Sequence, residues 1–505
     1  MTRSAAAALA GVLAVAAFLQ LTALGRAPAR VSTDEARVAV QARLLADTGR
    51  DMSGHRLPPF FRIKNPLVPD DPNVTWWQPA LFYLDAAALR VAPFSAATVR
   101  LPIALLAVLD VWLMFLVARR LFGSDWYGLL AALMLALTPA HFIFGRQAFD
   151  YFCPLPVTLA WLWCLLQAIE SDANAWPAAA GFVLGAGSFS YITSWFVMPC
   201  YLVVTLIALG SSGRPARALA AAAVGFAAPL LVAVPWLWTH PAMPREVFAD
   251  YRVKVSAPLV SRLDVYWDYF NPSYLFFSGG SNPMFATRRA GVFPLAAAAL
   301  LPCGLWSICA RRRSIARMIL LVGFLFAPVP IVLAMPTDPK YFTARELAVV
   351  PFGVLIGVAG VEWLVAARRP AARVAAALLI ASLPVQFALF ARTYFTTYQD
   401  WSADRFDALD FAHVAAAVAA QDAAAPVPRV YLSDTLGEEK VVQWQFHLLA
   451  AQRSDLWSRT SYLHVPEADR PRIASGSLLI LGERDRPPAG WSVVDRGATL
   501  VLRRD

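Results

Sequence analysis

The stretch VRLPIALLAVLDVWLMFLVARR, residues 99 to 120, decides the fold. From residue 99 to 118 it is mostly apolar, and it then stops on Arg119 and Arg120. A transmembrane helix needs roughly 20 such residues to cross the hydrocarbon core. Arginines at the end of a span mark its cytoplasmic side. Asp110, in LLAVLDVWLMF, is the one clearly deep carboxylate, and it reads as a partner for a neighbouring helix.

The same pattern recurs outward from this segment. Scanning by span length gives about eleven candidates. They lie near 5–25, 99–118, 125–143, 152–169, 176–193, 195–211, 216–238, 290–310, 315–335, 344–366 and 371–392. Ser188, Ser190, Thr193 and Ser194 interrupt the pair around 176–211. The composition agrees: 58% of the 505 residues are hydrophobic and 15% are charged, against about 25% charged in soluble domains. The mean hydropathy is +0.53. The formal charge of +10 sits largely in short connectors, so it reports membrane topology and not nucleic-acid binding.

Arg119 and Arg120, Arg214 and Arg217, Arg311 to Arg313 with Arg317, and Arg368, Arg369 and Arg373 form four basic clusters. Eleven spans with a cytoplasmic N-terminus put all four on the cytoplasmic side. A cleaved signal peptide is the rival reading of the first apolar run, and it leaves the next loop on the same side. The chain is therefore expected to hold a transmembrane module over 1–393 and a small extracytoplasmic α/β domain over 394–505. The first outer loop covers about 26–98 and the second about 239–289. In the tail, PRVYLSD, SLLILGE and GATLVLRR read as strands, and FDALDFAHVAAAVAAQ and EEKVVQWQFHLLAAQ as helices. Cys153, Cys164, Cys200, Cys303 and Cys309 lie in or beside apolar segments and read as small buried residues.

Chemistry-bearing residues gather on the outer side. Ser32-Thr33-Asp34-Glu35 is a helix start, where carboxylates favour the positive helix end. It also offers Asp34 as a general base at the membrane surface. TWWQPALFYLDAAALRVAP, residues 75–93, reads as an interfacial aromatic segment and as a lip for an amphiphilic lipid. Arg146 and Asp150, four apart in HFIFGRQAFDYF, form either a salt bridge or a phosphate-and-carboxylate pair. NPSYLFFSGGSN adds aromatic residues between turn signals. Lys340 and Arg345 place positive charge at an outer mouth, against the topology rule, where a phosphate would explain it. Asp34, Glu35, His55 and Asp150 have the chemistry to hold a divalent cation, but their spacing defines no metal site, and no cofactor is assigned.

In this order, the Asp34-Glu35 pair, QPALFYL, FGRQAFD, NPSYLFFSGGSN and Arg345 before ELAVVP resemble the GT-C membrane glycosyltransferases. The likeness is nearest to the superfamily of protein O-mannosyltransferases and bacterial aminoarabinose transferases, and it covers roughly residues 5 to 390. It implies an inverting transfer of a sugar from a polyprenyl-phosphate carrier to an acceptor hydroxyl outside the cytoplasm. Asp34 is then the general base, Glu35 its acidic neighbour and Asp150 a second acid of the site. Arg345, Arg146 and Lys340 are donor-phosphate contacts. Trp77, Gln78, Tyr83, Asn271 and Tyr274 line the lipid and sugar lip. The aminoarabinose transferases tend to carry Lys-Pro-Pro where this chain has Gln78-Pro79-Ala80, which departs from that specificity. Glycan, lipid or protein acceptors are all implied, in envelope or lipopolysaccharide biogenesis at the bacterial inner membrane. The alternative is a transporter or lipid flippase, which calls for several deep ionisable residues and internal repeats.

Overall fold

The computed structural model describes the chain except residues 65–66, 68–74, 253–257, 311–313, 335–344, 346, 368 and 464–472. It divides into two compact units. The first comprises Met1–Leu24, Trp77–Leu81 and Leu101–Tyr398; the second comprises Gly25–Trp76, Phe82–Arg100 and Gln399–Asp505.

The first unit is a bundle of apolar helices. Among the described residues eight helices are long and apolar enough to cross a membrane. They are Arg3–Leu21 (α1), Ala96–Phe122, Asp150–Glu170, Ser194–Ser211, Ala216–Thr239, Ile315–Leu333, Val349–Ala366 and Pro370–Phe395. The three remaining predicted spans are shorter apolar helices, Asp125–Ala136, Ala175–Gly187 and Ala297–Ala310. The count of eleven spanning helices is not confirmed by these lengths, and local chemistry accounts for the shorter three. Pro139 has no N–H to continue a helix and opens a new one at Pro139–Phe144. The Ser188–Thr193 interruption becomes a turn between two helices.

Small residues set the closest helix approaches. A Cβ on Gly181 would lie 1.9 Å from the Ala222 carbonyl oxygen, and one on Gly304 1.9 Å from that of Ile356. In an apolar environment such packing brings backbones together without a hydrophobic driving force. Val349–Ala366 is buried at every position from Val349 to Val361, as a helix apolar on all sides should be at the centre of a bundle. Arg317 donates to both oxygens of Glu362 at 2.7 and 2.9 Å.

The second unit gathers Thr33–Thr48 (α2), most of Ala80–Val91 (α3) and the tail. The tail carries a five-stranded sheet in the order Thr460–Leu463, Val430–Ser433, Leu478–Gly482, Thr499–Arg504, Trp491–Arg496. The first three strands are parallel and the last two add antiparallel. Leu478 to Leu481 are all buried, as expected of a central strand covered on both faces. Ile480 belongs to one buried apolar cluster with Phe411, Val414, Val418 and Trp444, while Leu479 and Leu481 belong to another with Trp491 and Leu502. The expected α/β tail is therefore present. Two of its strands, Thr460–Leu463 and Trp491–Arg496, are additional to the three expected from the sequence.

Candidate active site

The start of α2 is built from four consecutive polar residues. Ser32 caps the helix: its hydroxyl accepts from the Glu35 N–H, and Glu35 Oε2 accepts from the Ser32 N–H. This reciprocal box meets two of the helix's free donors. Glu35 also accepts from Arg100 Nε at 2.7 Å and Nη2 at 3.1 Å, and both side chains are 1% exposed. Arg100 completes its fork on the carbonyls of Pro28 and Arg30. Thr33 donates its hydroxyl proton to Gln443 Oε1 at 3.0 Å and accepts from Lys440 Nζ at 3.2 Å.

Asp34 stands between these committed neighbours. Its side chain is about one-third exposed and its partner is Arg37, one turn on, at 3.1 Å. Glu35 thus separates from Asp34: it ties a loop to a helix, whereas Asp34 keeps a partly exposed carboxylate paired with Arg37. Within the same unit, Asp85 on α3 is fully buried. Neither of its oxygens has a hydrogen-bonding partner among the described residues. Burial first, and the nearby Glu35 second, push its carboxyl well above the usual range. Tyr83 donates to the Pro58 carbonyl at 3.0 Å, and burial together with Asp51 pushes its phenol up to about 12.

In the first unit a pocket forms where Tyr151, Thr158, Tyr191, Ser194, Tyr201 and Arg345 meet apolar side chains. Tyr201 is buried and stacked on Trp161, with ring centroids 4.4 Å apart and an interplanar angle of 4°. Its hydroxyl has no hydrogen-bonding partner among the described residues. Tyr151 meets Tyr191 edge-on at 5.1 Å. Asp150 is buried at the first position of the turn Asp150–Phe152, directly before pocket-lining Tyr151. Thr158 donates to the Pro154 carbonyl at 2.8 Å and Ser194 shares a hydrogen bond with Ser190 at 2.9 Å, so these two pocket hydroxyls are already engaged within the protein.

The other predicted site residues of this unit are not gathered there. Arg146 is fully buried and donates to the carbonyls of Leu19, Gln20 and Thr22 at the end of α1. Phe142, Tyr394 and Phe395 surround its guanidinium at 5.1 to 5.8 Å. It therefore satisfies the carbonyls that every helix C-terminus leaves open. Tyr274 is buried against Tyr269, and Asn271 Oδ1 accepts from the Ser273 N–H. Trp77 is half-buried. Gln78 is buried, with neither amide atom hydrogen-bonded among the described residues. Lys340 lies outside the described residues.

Several contributors had only faint sequence signals. Tyr151 directly follows the predicted Asp150. Tyr191, Thr193 and Ser194 are the polar interruption within an apolar run. Gln443 and Lys440 lie in the tail, some 400 residues from Thr33, where no local pattern points to them. His55 pairs with Asp51 at 3.1 Å. Among the described residues no three His, Cys, Asp or Glu side chains gather as a metal site would require.

Residues 70–238 match the family described as dolichyl-phosphate-mannose-protein mannosyltransferase. The fold is similar to that of ArnT from Cupriavidus metallidurans in the apo state, at 16% identity and a TM-score of 0.65. The match spans 99% of this chain and 98% of that one. The same protein bound to undecaprenyl phosphate matches at 16% identity and a TM-score of 0.60, over 98% of each chain. No curated protein matches the sequence.

Proposed function

We propose that this chain, a membrane glycosyltransferase of the GT-C type, transfers a sugar from a polyprenyl-phosphate carrier to an acceptor hydroxyl on the outer face of the bacterial inner membrane. The observation that carries the reading is the pocket of the first unit, in which Arg345 stands among tyrosine, serine and threonine hydroxyls. A solved relative of the same fold holds undecaprenyl phosphate, which supports a carrier of that chemistry here.

The reaction joins the acceptor oxygen to the anomeric carbon as the anomeric carbon–phosphate oxygen bond breaks. Asp34 takes the acceptor proton, and the attack inverts the anomeric centre. The departing polyprenyl monophosphate gains a second negative charge, which Arg345 stabilises, with Lys340 as a weaker donor-side candidate; Arg146 is committed to the carbonyls of α1. Asp150 serves as the second acid. Trp77, Gln78, Asn271 and Tyr274 of the first unit, and Tyr83 of the second, are the candidates for contact with lipid and sugar. Gln78 fits this role best, because a buried amide left without partners costs about 1–3 kcal/mol until something meets it. The membrane module spans 1–393 and the extracytoplasmic domain 394–505. The acceptor is a glycan, glycolipid or protein of the cell envelope.

Mass spectrometry of envelope glycans and polyprenyl-phosphate sugars in a deletion strain tests the reading. A lipid-linked sugar should accumulate while one envelope glycan loses that sugar. Unchanged levels of both would overturn it.

A further inference from the structure

We infer that the tail is a working part of the reaction centre, with Gln443 and Lys440 as positioning residues that set the aim of Asp34. The inference rests on the reading of Asp34 as general base. Gln443 is fully buried on the helix Val441–Ala450. Its amide reaches three residues in two separate segments, the start of α2 and the stretch before Asp407. Oε1 accepts from the Thr33 hydroxyl at 3.0 Å, and Nε2 donates to the carbonyls of Val31 at 2.8 Å and Phe406 at 3.0 Å. Lys440 Nζ donates to the same Thr33 hydroxyl at 3.2 Å. With an ammonium supplying one proton and an amide oxygen taking the other, the direction of the Thr33 hydroxyl is set.

Thr33 is the first residue of α2, and Asp34 is bonded to it. On the other side of Asp34, Glu35 is held by Arg100 and by the Ser32 cap. The base is therefore fixed from both flanking residues, while its own carboxylate is kept for Arg37 and for solvent. Apolar packing, such as Phe94 on Phe446 at 5.0 Å, holds these segments together but tolerates sliding. Hydrogen bonds with one geometry do not. A shift of about 1 Å in a catalytic group can lower rate on the order of 100-fold, so a clamp on the preceding residue has leverage over turnover.

The test uses the full-length protein in lipid nanodiscs and the polyprenyl-phosphate sugar that accumulates in the deletion strain. Thr33→Val and Gln443→Leu should each lower kcat by about 10- to 100-fold, with donor KM changed by less than about twofold. The double variant should be no slower than the slower single, because both changes break one link. Thr33→Ser should keep the wild-type rate. Hydrogen exchange at the first-turn amides of α2 should quicken in Thr33→Val and Gln443→Leu. Should Gln443→Leu fail to fold, Lys440→Met at a half-buried position reads the same clamp, and Lys440→Arg should restore it. An inactive wild type or a fully active Asp34→Asn overturns the base reading and this inference with it. An active wild type, a dead Asp34→Asn and an unimpaired Thr33→Val overturn the clamp alone.

Discussion

Ser32, Thr33 and Glu35 at the start of α2 each have hydrogen-bonding partners in the protein, and Asp34 between them keeps a half-open carboxylate. In the pocket of the first unit the balance is different: Tyr201 is buried with its hydroxyl lacking a hydrogen-bonding partner among the described residues, while Thr158 and Ser194 beside it bond within the protein. Both regions mix polar groups with apolar packing, and each holds one polar group less committed than its neighbours: Asp34 at the helix start and Tyr201 in the pocket.

Asp34→Asn should break this contrast most severely. Loss of a general base typically costs 10²- to 10⁴-fold, so kcat should fall by about that factor. The melting temperature should hold, since a partly exposed Asp–Arg pair one turn apart contributes about 0.3–0.5 kcal/mol. Arg345→Ala should come next, with kcat/KM for the donor lowered about 100-fold in steady-state kinetics. Glu35→Gln acts on the committed side of the comparison. It leaves Arg100 buried without its counter-charge, so about 3–5 kcal/mol of stability should be lost in chemical denaturation, in contrast to Asp34→Asn. Activity lost by Glu35→Gln with full stability would move Glu35 into the chemistry.

The remaining two predictions are smaller. Asp85→Asn keeps the shape of a buried group whose ionisation the fold opposes. It should raise the melting temperature at neutral pH slightly; a lower one would mean that the fold relies on the carboxyl group itself. Burial holds His447 down to about 4, against 6.5 unfolded, with Asp407 and Asp410 facing it. Between those values the unfolded chain binds a proton that the folded chain refuses. Stability should therefore fall as pH drops from about 6.5 to about 4. The slope of melting temperature against pH should be shallower in His447→Gln.

The resemblance of this chain to GT-C glycosyltransferases is matched by the family found over residues 70–238 and by the fold shared over nearly the whole chain. That much was legible because a membrane leaves a strong signal: apolar runs of fixed length, ended by arginines. Residue roles were less legible. Arg146 at the end of an apolar run looks the same in sequence whether it meets a phosphate or closes the carbonyls of α1, and the structure puts it on the carbonyls. Asp34 and Glu35 are adjacent and chemically alike. Only Arg100, 65 residues further on, tells them apart.

The sequence by itself determined the helical membrane architecture, the α/β character of the tail and the segments where chemistry would be sought. These follow from local properties, namely hydropathy, periodicity and helix-start residues, which each segment carries wherever it packs. The tertiary structure decided which carboxylate the fold consumes, which hydroxyls share a pocket with Arg345, and that the tail grips the residue before Asp34. Those depend on side chains brought within about 3 Å from distant parts of the chain, and no local pattern encodes such a distance.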